Sequence, residues 1–207
     1  MKNGILVLLF SSLLIFSCKK KEIEPTTSTS DPATLRTTST VDLAYDTGTQ
    51  TDPMCFLDLD LGTVYSVSNA AANADKIDVV YVIRYTAAND PMFISIGNFD
   101  GQNGYPISSW DKTTLGIGAF ANYNHTVVEG APASLTTANF NAIATLSQLK
   151  GYIGNVSTTS DFEHLDPSHV GNIYQFRTQQ GKVGAFKLTA CQNGSSGFAS
   201  VEIVVEK

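Results

Sequence analysis

Ile173-Tyr174-Gln175-Phe176-Arg177-Thr178, then Gln179-Gln180-Gly181-Lys182, then Val183-Gly184-Ala185-Phe186-Lys187-Leu188-Thr189-Ala190-Cys191, are two alternating runs joined by a short glycine-bearing turn. Successive side chains of a strand point to opposite faces, so alternation of period two marks a strand with one buried face. A second glycine-rich stretch, Asn193-Gly194-Ser195-Ser196-Gly197, leads to a last run from Phe198 to Val205. Three such strands linked by short turns predict an antiparallel meander.

The same period recurs upstream. It marks Val41 to Asp46 and then Cys55 to Tyr65, where Phe56, Leu57, Leu59 and Leu61 are interleaved with Asp58 and Asp60. Ile77 to Tyr85 is nearly continuous in Val, Ile and Tyr, the pattern of a central strand covered on both faces. Met92 to Ile96 follows Pro91 as a further short strand. Two stretches read as helix instead. Ser68 to Lys76 is alanine-rich, with Ser68 available as a cap. Thr136 or Thr137 can cap a helix to about Leu149, with Phe140, Ile143, Ala144 and Leu146 at helical spacing and Gly151 to close it. The expected class is mainly β: an antiparallel β-sandwich or curved sheet with one or two short helices packed on it.

At the other end of the chain, Lys2 precedes apolar runs Ile5 to Phe10 and Leu13 to Phe16, and Ser17 is the small residue at the junction. Residues 1–17 are expected to be a secretory signal peptide, too short and wrongly flanked for a membrane span. Leu14-Ile15-Phe16-Ser17-Cys18 resembles a bacterial lipobox. The resemblance implies cleavage before Cys18, acylation of its sulfur and new amino terminus, and a membrane contact made by lipid. Each buried acyl methylene adds about 0.8 kcal/mol of membrane affinity, so no spanning helix is needed. Cys18-Lys19-Lys20-Lys21-Glu22 is similar to the start of Bacteroidetes-type surface lipoproteins, which implies an outer-membrane anchor with the protein facing outward.

Residues 18–40 are then a lipidated cysteine and a Ser/Thr/Pro tether, with too few large apolar side chains to offset ordering entropy. Residues 41–207 are expected to form a single β-rich domain of about 165 residues, enough to bury roughly two thirds of the unfolded surface. The formal charge is -6 for all 207 residues; removing the signal takes away one lysine and no acid, giving about -7. Mild acidity without a basic cluster beyond the anchor argues against nucleic acid. Gly62-Thr63-Val64-Tyr65-Ser66 with Ala70 to Asp78, and Phe176-Arg177-Thr178 with Gly181-Lys182-Val183-Gly184, resemble recurrent signatures of uncharacterised Bacteroidetes lipoprotein domains. That resemblance implies a secreted β-rich domain and transfers no catalytic residues.

Cys55 and Cys191 remain once Cys18 is acylated. Outside the cytoplasm they can form a disulfide, and closing so long a loop adds about 4 to 5 kcal/mol in the chain-entropy model. Both also lie in apolar alternating segments, where buried free thiols are equally at home.

Candidate chemistry is sparse. Asp58 and Asp60, spaced by two on one expected strand, would share a face as paired carboxylates, which is also what a solvent-facing polar row gives. Asn98 to Gly104 faintly resembles a calcium loop, but Asn103 and Ser109 stand where an EF-hand needs glycine and glutamate. Asp161, Glu163, His164, Asp166 and His169 cluster, yet Pro167 between the histidines prevents a shared helical face. His125 has no nucleophile elbow beside it. No catalytic residues, metal or cofactor are therefore assigned.

Aromatic residues are more suggestive. Tyr105, Trp110, Phe120 and Tyr123 lie in a glycine-rich middle segment near Asp100, Asn103, Asp111 and Asn122. Flat rings beside amides and carboxylates suit sugars, with Tyr105, Trp110 and Tyr123 as ligand-binding candidates. Trp110 and Phe120 also fit as core plugs under a long loop. The expected role is a non-enzymatic envelope lipoprotein binding a glycan or a partner protein. The alternatives are a structural, adhesin-like subunit of an envelope assembly, and a secreted hydrolase using Asp58, Asp60 or the His164 region.

Overall fold

The computed structural model describes residues 35–46, 52–84, 90–97, 113, 115–156, 162–194 and 196–207. Among the described residues ten strands follow one another: β1 Leu35–Asp46, β2 Met54–Asp58, β3 Thr63–Ser66, β4 Val79–Arg84, β5 Asp90–Ser95, β6 Val127–Gly130, β7 Phe162–His164, β8 Ile173–Arg177, β9 Val183–Gln192 and β10 Ser196–Glu206. They form two five-stranded sheets, ordered β1-β10-β9-β8-β6 and β3-β2-β4-β5-β7. Every strand pairing is antiparallel. The expected class holds, and β8, β9 and β10 are the meander read from the C-terminal alternation.

Alternation explains how the sheets stack. In the second sheet Leu57, Val79, Tyr81 and Phe93 share one face, and Phe56, Val80 and Ile94 share the other. Phe93 meets Phe186 of β9 edge to face, with ring centroids 5.3 Å apart, so the first set faces the other sheet. Phe186 in turn stacks on Tyr174 and Phe176 of β8. Phe176 lies directly over its partner Gly184, where a Cβ would come within 2.3 Å of the ring. The large side chain fills the space that the glycine leaves, as close packing requires.

The outer faces are covered too. Phe120 sits 5.6 Å from Phe56, so the connection through Leu115, Ile117 and Phe120 packs on the second sheet's outer set. β4, the middle strand, is therefore buried on both faces, as its continuous apolar run predicts. On the first sheet, helices α2 (Thr137–Asn141) and α3 (Leu146–Tyr152) place Phe140 and Leu149 in a second cluster with Ala185 and Val204. Burial of these apolar faces holds the layers together at roughly 25 cal/mol per Å².

Five expectations are corrected. The run Cys55–Tyr65 is a hairpin, because Gly62 adopts a positive φ of 64° and its N–H bonds to Asp58 O at 2.8 Å. The helix expected from Thr136 to Leu149 is two: Thr136 caps α2 by accepting from Asn139 N, and Thr145 with Gln148 forms a capping box that starts α3 anew. Gly151 lies inside α3 instead of closing it. Helix α1 (Val67–Ala70) starts after Ser66, and Ser68 makes no cap; its N–H and hydroxyl both donate to the Asp52 carboxylate, holding that group below its ordinary value. β1 also runs longer than Val41–Asp46, beginning at Leu35, with a register shift between Thr38 and Val41.

Candidate functional site

At one end of the sandwich the two sheets are joined by polar side chains. Three segments meet there: the start of β4, the end of β5, and Tyr123 to Thr126 leading into β6. Asn124 donates its amide to Asp75 O at 3.0 Å and Ile77 O at 2.9 Å. Its own carbonyl accepts from Gly97 N at 2.7 Å and from the Ser95 hydroxyl at 3.2 Å. Ser95 Oγ accepts in turn from Thr126 N at 3.1 Å. Thr126 then donates its hydroxyl to Asp78 Oδ1 at 2.6 Å, while Asp78 Oδ2 accepts from Leu59 N at 2.9 Å. Asn124, Thr126, Ser95 and Asp78 are all buried, so each bond satisfies a group that water cannot reach.

Charge at this clasp is unbalanced. Burial pushes the Asp78 carboxyl up to about 7 despite its two donors, and the carboxylates of Asp60 and Asp58 add to the rise. Asp58 is also buried and raised by burial, with Leu61 N–H donating to its Oδ1 at 2.9 Å. Lys182, at the turn before β9, pairs with Asp60 at 3.0 Å. Asp78 makes no ion pair among the described residues.

The expected pair of Asp58 and Asp60 on one strand face is corrected by this geometry. Asp58 ends β2, whereas Asp60 stands in the following turn. Asp58 turns toward backbone N–H in its own hairpin and Asp60 toward Lys182. Such carboxylates position loops; enclosed as Asp58 and Asp78 are, they present no surface to a substrate. Among the described residues no three His, Cys, Asp or Glu side chains are grouped to hold a metal ion. His164 lies in β7 and His169 in a 3-10 turn at Pro167–His169, so the proline does separate them.

Of the ligand candidates, Tyr105 and Trp110 lie outside the described residues, as do Cys18, Asp100, Asn103 and Asp111. Tyr123 is half-buried. Its ring stacks on Phe120 at 6.4 Å and its hydroxyl donates to Ile117 O at 3.2 Å. Phe120 is a core plug, 6% exposed. Cys55 on β2 and Cys191 on β9 carry free thiols. Burial raises the Cys55 thiol far above its usual range and lifts Cys191 to about 11, so both stay protonated and unreactive at neutral pH. The Tyr81 hydroxyl is buried without a hydrogen-bond partner among the described residues, and burial raises it strongly, with Cys191 second.

A groove of about 550 Å³ on the far face of the first sheet runs beside α2, lined by Phe140, Asn141, Lys187 and Glu202. Lys187 is spent there: it pairs with Glu202 at 2.6 Å, donates to Asn141 Oδ1 at 2.8 Å and lies 5.3 Å from the Phe140 ring centroid. Among the described residues no helix is long and apolar enough to cross a membrane.

The sequence reading missed Asp78, Thr126, Asn124 and Ser95. One signal was present: an aspartate between Ile77 and Val79 in an otherwise apolar run must find donors when the strand is buried.

No family model matches the chain, and no curated protein matches it. Among solved structures it is similar to a DUF4466 family protein from Parabacteroides merdae ATCC 43184, with a TM-score of 0.49 and 14% identity. The match covers 84% of this chain, which spans 54% of that one.

Proposed function

We propose that this chain is a lipid-anchored cell-envelope protein, held at the outer membrane through Cys18, whose β-sandwich domain binds a glycan through residues 98–112 and Tyr123. The observation that carries it is the sequence Leu14-Ile15-Phe16-Ser17-Cys18 followed by a Ser/Thr/Pro stretch and then by the first strand at Leu35. Acylation at Cys18 fixes the place, and a rigid two-sheet frame supplies the support on which a recognition segment depends. Gly97, at the near end of residues 98–112, is bonded to Asn124 in the clasp, beside the half-buried ring of Tyr123. The apolar faces of sugars stack on such rings.

Two experiments test the two halves. Metabolic labelling with a fatty-acid analogue should mark the wild type and not Cys18→Ala; equal labelling ends the anchoring proposal. A glycan array followed by calorimetry should find a ligand whose affinity falls about tenfold or more, roughly 1.4 kcal/mol, in Trp110→Ala. No ligand, or unchanged affinity, ends the sugar reading.

One observation favours a second reading, an adhesin-like subunit. β1 is an edge strand of twelve residues, hydrogen-bonded to β10 on one side only among the described residues. Such an edge can receive a strand from a partner protein. Crosslinking on intact cells should then recover a stoichiometric protein partner, and a glycan-only binder would recover none.

A further inference from the structure

We propose that Asp78 is a proton-operated latch: its neutral carboxyl keeps Asn124–Thr126 fastened between the two sheets, and loss of that proton to solvent loosens this end of the sandwich. The inference concerns the fold itself and stands whatever residues 98–112 bind.

The geometry carries it. Asp78 is 2% exposed and joins two separate elements, the β2–β3 turn through Leu59 N and the lead-in to β6 through Thr126. Its backbone is equally tied, with its N–H donating to Leu57 O at 3.0 Å and its carbonyl accepting from Ile96 N at 3.1 Å. Asn124 is held by its own bonds to Asp75, Ile77, Ser95 and Gly97, whereas among the described residues Thr126 is otherwise hydrogen-bonded to the second sheet through its N–H on Ser95 Oγ, so the Asp78 bond secures the Thr126 end of the segment. Gly97 depends on the same segment, since its N–H bonds to Asn124 O and a Cβ there would lie 2.3 Å from His125 Nδ1. Movement of Asn124–Thr126 therefore moves Gly97 with it.

The charges around Asp78 make its proton count. β2 brings Asp58, the β2–β3 turn brings Asp60, and the turn before β9 brings Lys182, which is already engaged by Asp60. The segment before β4 carries Asp75 and Lys76 on the surface, and His125 beside Thr126 is exposed. Two donors favour the ionised carboxyl, but burial and the two neighbouring carboxylates outweigh them and place its titration at about 7. A buried ion without a cationic partner is costly, so the charge is relieved when the site opens to water.

Amide hydrogen exchange on the full chain in detergent, corrected for intrinsic base catalysis, tests this. Between pH 6 and pH 8 the protection of Leu59, Gly97 and Thr126 should fall about tenfold, while Phe186 and Val201 keep theirs. Asp78→Asn should abolish the dependence and His125→Gln should preserve it; the reverse outcome assigns the proton to the imidazole and overturns the latch. Should Asp78→Asn not fold, the carbon resonance of the Asp78 carboxyl in the wild type decides. A midpoint near neutrality supports the latch, and one below about 5 overturns it, as would protection that does not change with pH.

Discussion

At the middle of the sandwich Phe93 meets Phe186 edge to face at 5.3 Å, whereas at the clasp end Asp78 meets Thr126 through a 2.6 Å hydrogen bond. Both contacts bring the same two sheets together, and they respond to different variables. The aromatic centre depends on volume: any missing atom leaves a void, and no proton enters the account. The polar end depends on charge: its shape tolerates little change, yet its strength is set by the solution. A β-sandwich can thus keep a fixed middle while one end answers to pH.

The comparison breaks most visibly at Phe186. Phe186→Ala should lower unfolding free energy by about 3 to 5 kcal/mol, equally at pH 5.5 and pH 8, in urea denaturation; a pH-dependent loss would merge the two regions. Gly197 is the next lever, because a Cβ there would stand 2.4 Å from Ile83 Cδ1 and 2.6 Å from the Gln192 carbonyl oxygen. Gly197→Ala should cost about 1 to 3 kcal/mol by overpacking, read from the same denaturation curves.

The clasp sharpens the contrast through pH. An acid raised on folding, as Asp78 is to about 7, contributes stability that is complete below its unfolded value and lost as pH rises through the folded one. Wild-type stability should therefore decline by about 1.4 kcal/mol between pH 6 and pH 8, and Asp78→Asn should flatten the profile; a wild type that gains stability over that range contradicts the sign.

Two smaller changes lie outside both regions. Thr145→Ala removes the capping box of α3 and should cost about 1 kcal/mol. Lys150→Ala breaks a surface pair with Glu206 at 2.8 Å and should change stability by less than about 0.5 kcal/mol at either pH.

Much of the frame was legible because it rests on alternation. Phe186 against Lys187, or Val201 against Glu202, announces which side of a strand is buried, and the register follows. What escaped was set by single residues acting over distance. Gly62 folds Cys55–Tyr65 into a hairpin and so parts Asp58 from Asp60, although the glycine stood in plain view. Thr145-Leu146-Ser147-Gln148 carries a capping-box signature that splits the helix, but the continuing apolar spacing of Phe140, Ile143 and Leu146 conceals the break. Asp78 and Thr126 are 48 positions apart, and no local pattern pairs them. The ring of Tyr123 shares that fate: its neighbours Phe120 and Ile117 are close in sequence, but its half-buried setting depends on the main core cluster on which Phe120 rests.

β1 begins at Leu35 opposite Glu206, and the rows that continue across Val205, Gly184 and Phe176 lead toward the clasp end. The stretch leading back to Cys18 thus joins the frame at that end. Tension drawn through it against a grip on the opposite end would load the β1–β10 ladder lengthwise, stressing many rungs at once. A grip on the near end would instead peel them one by one. Mechanical resistance in this fold is therefore a matter of where force is applied, and a single-molecule stretching experiment with handles at either end would read the difference.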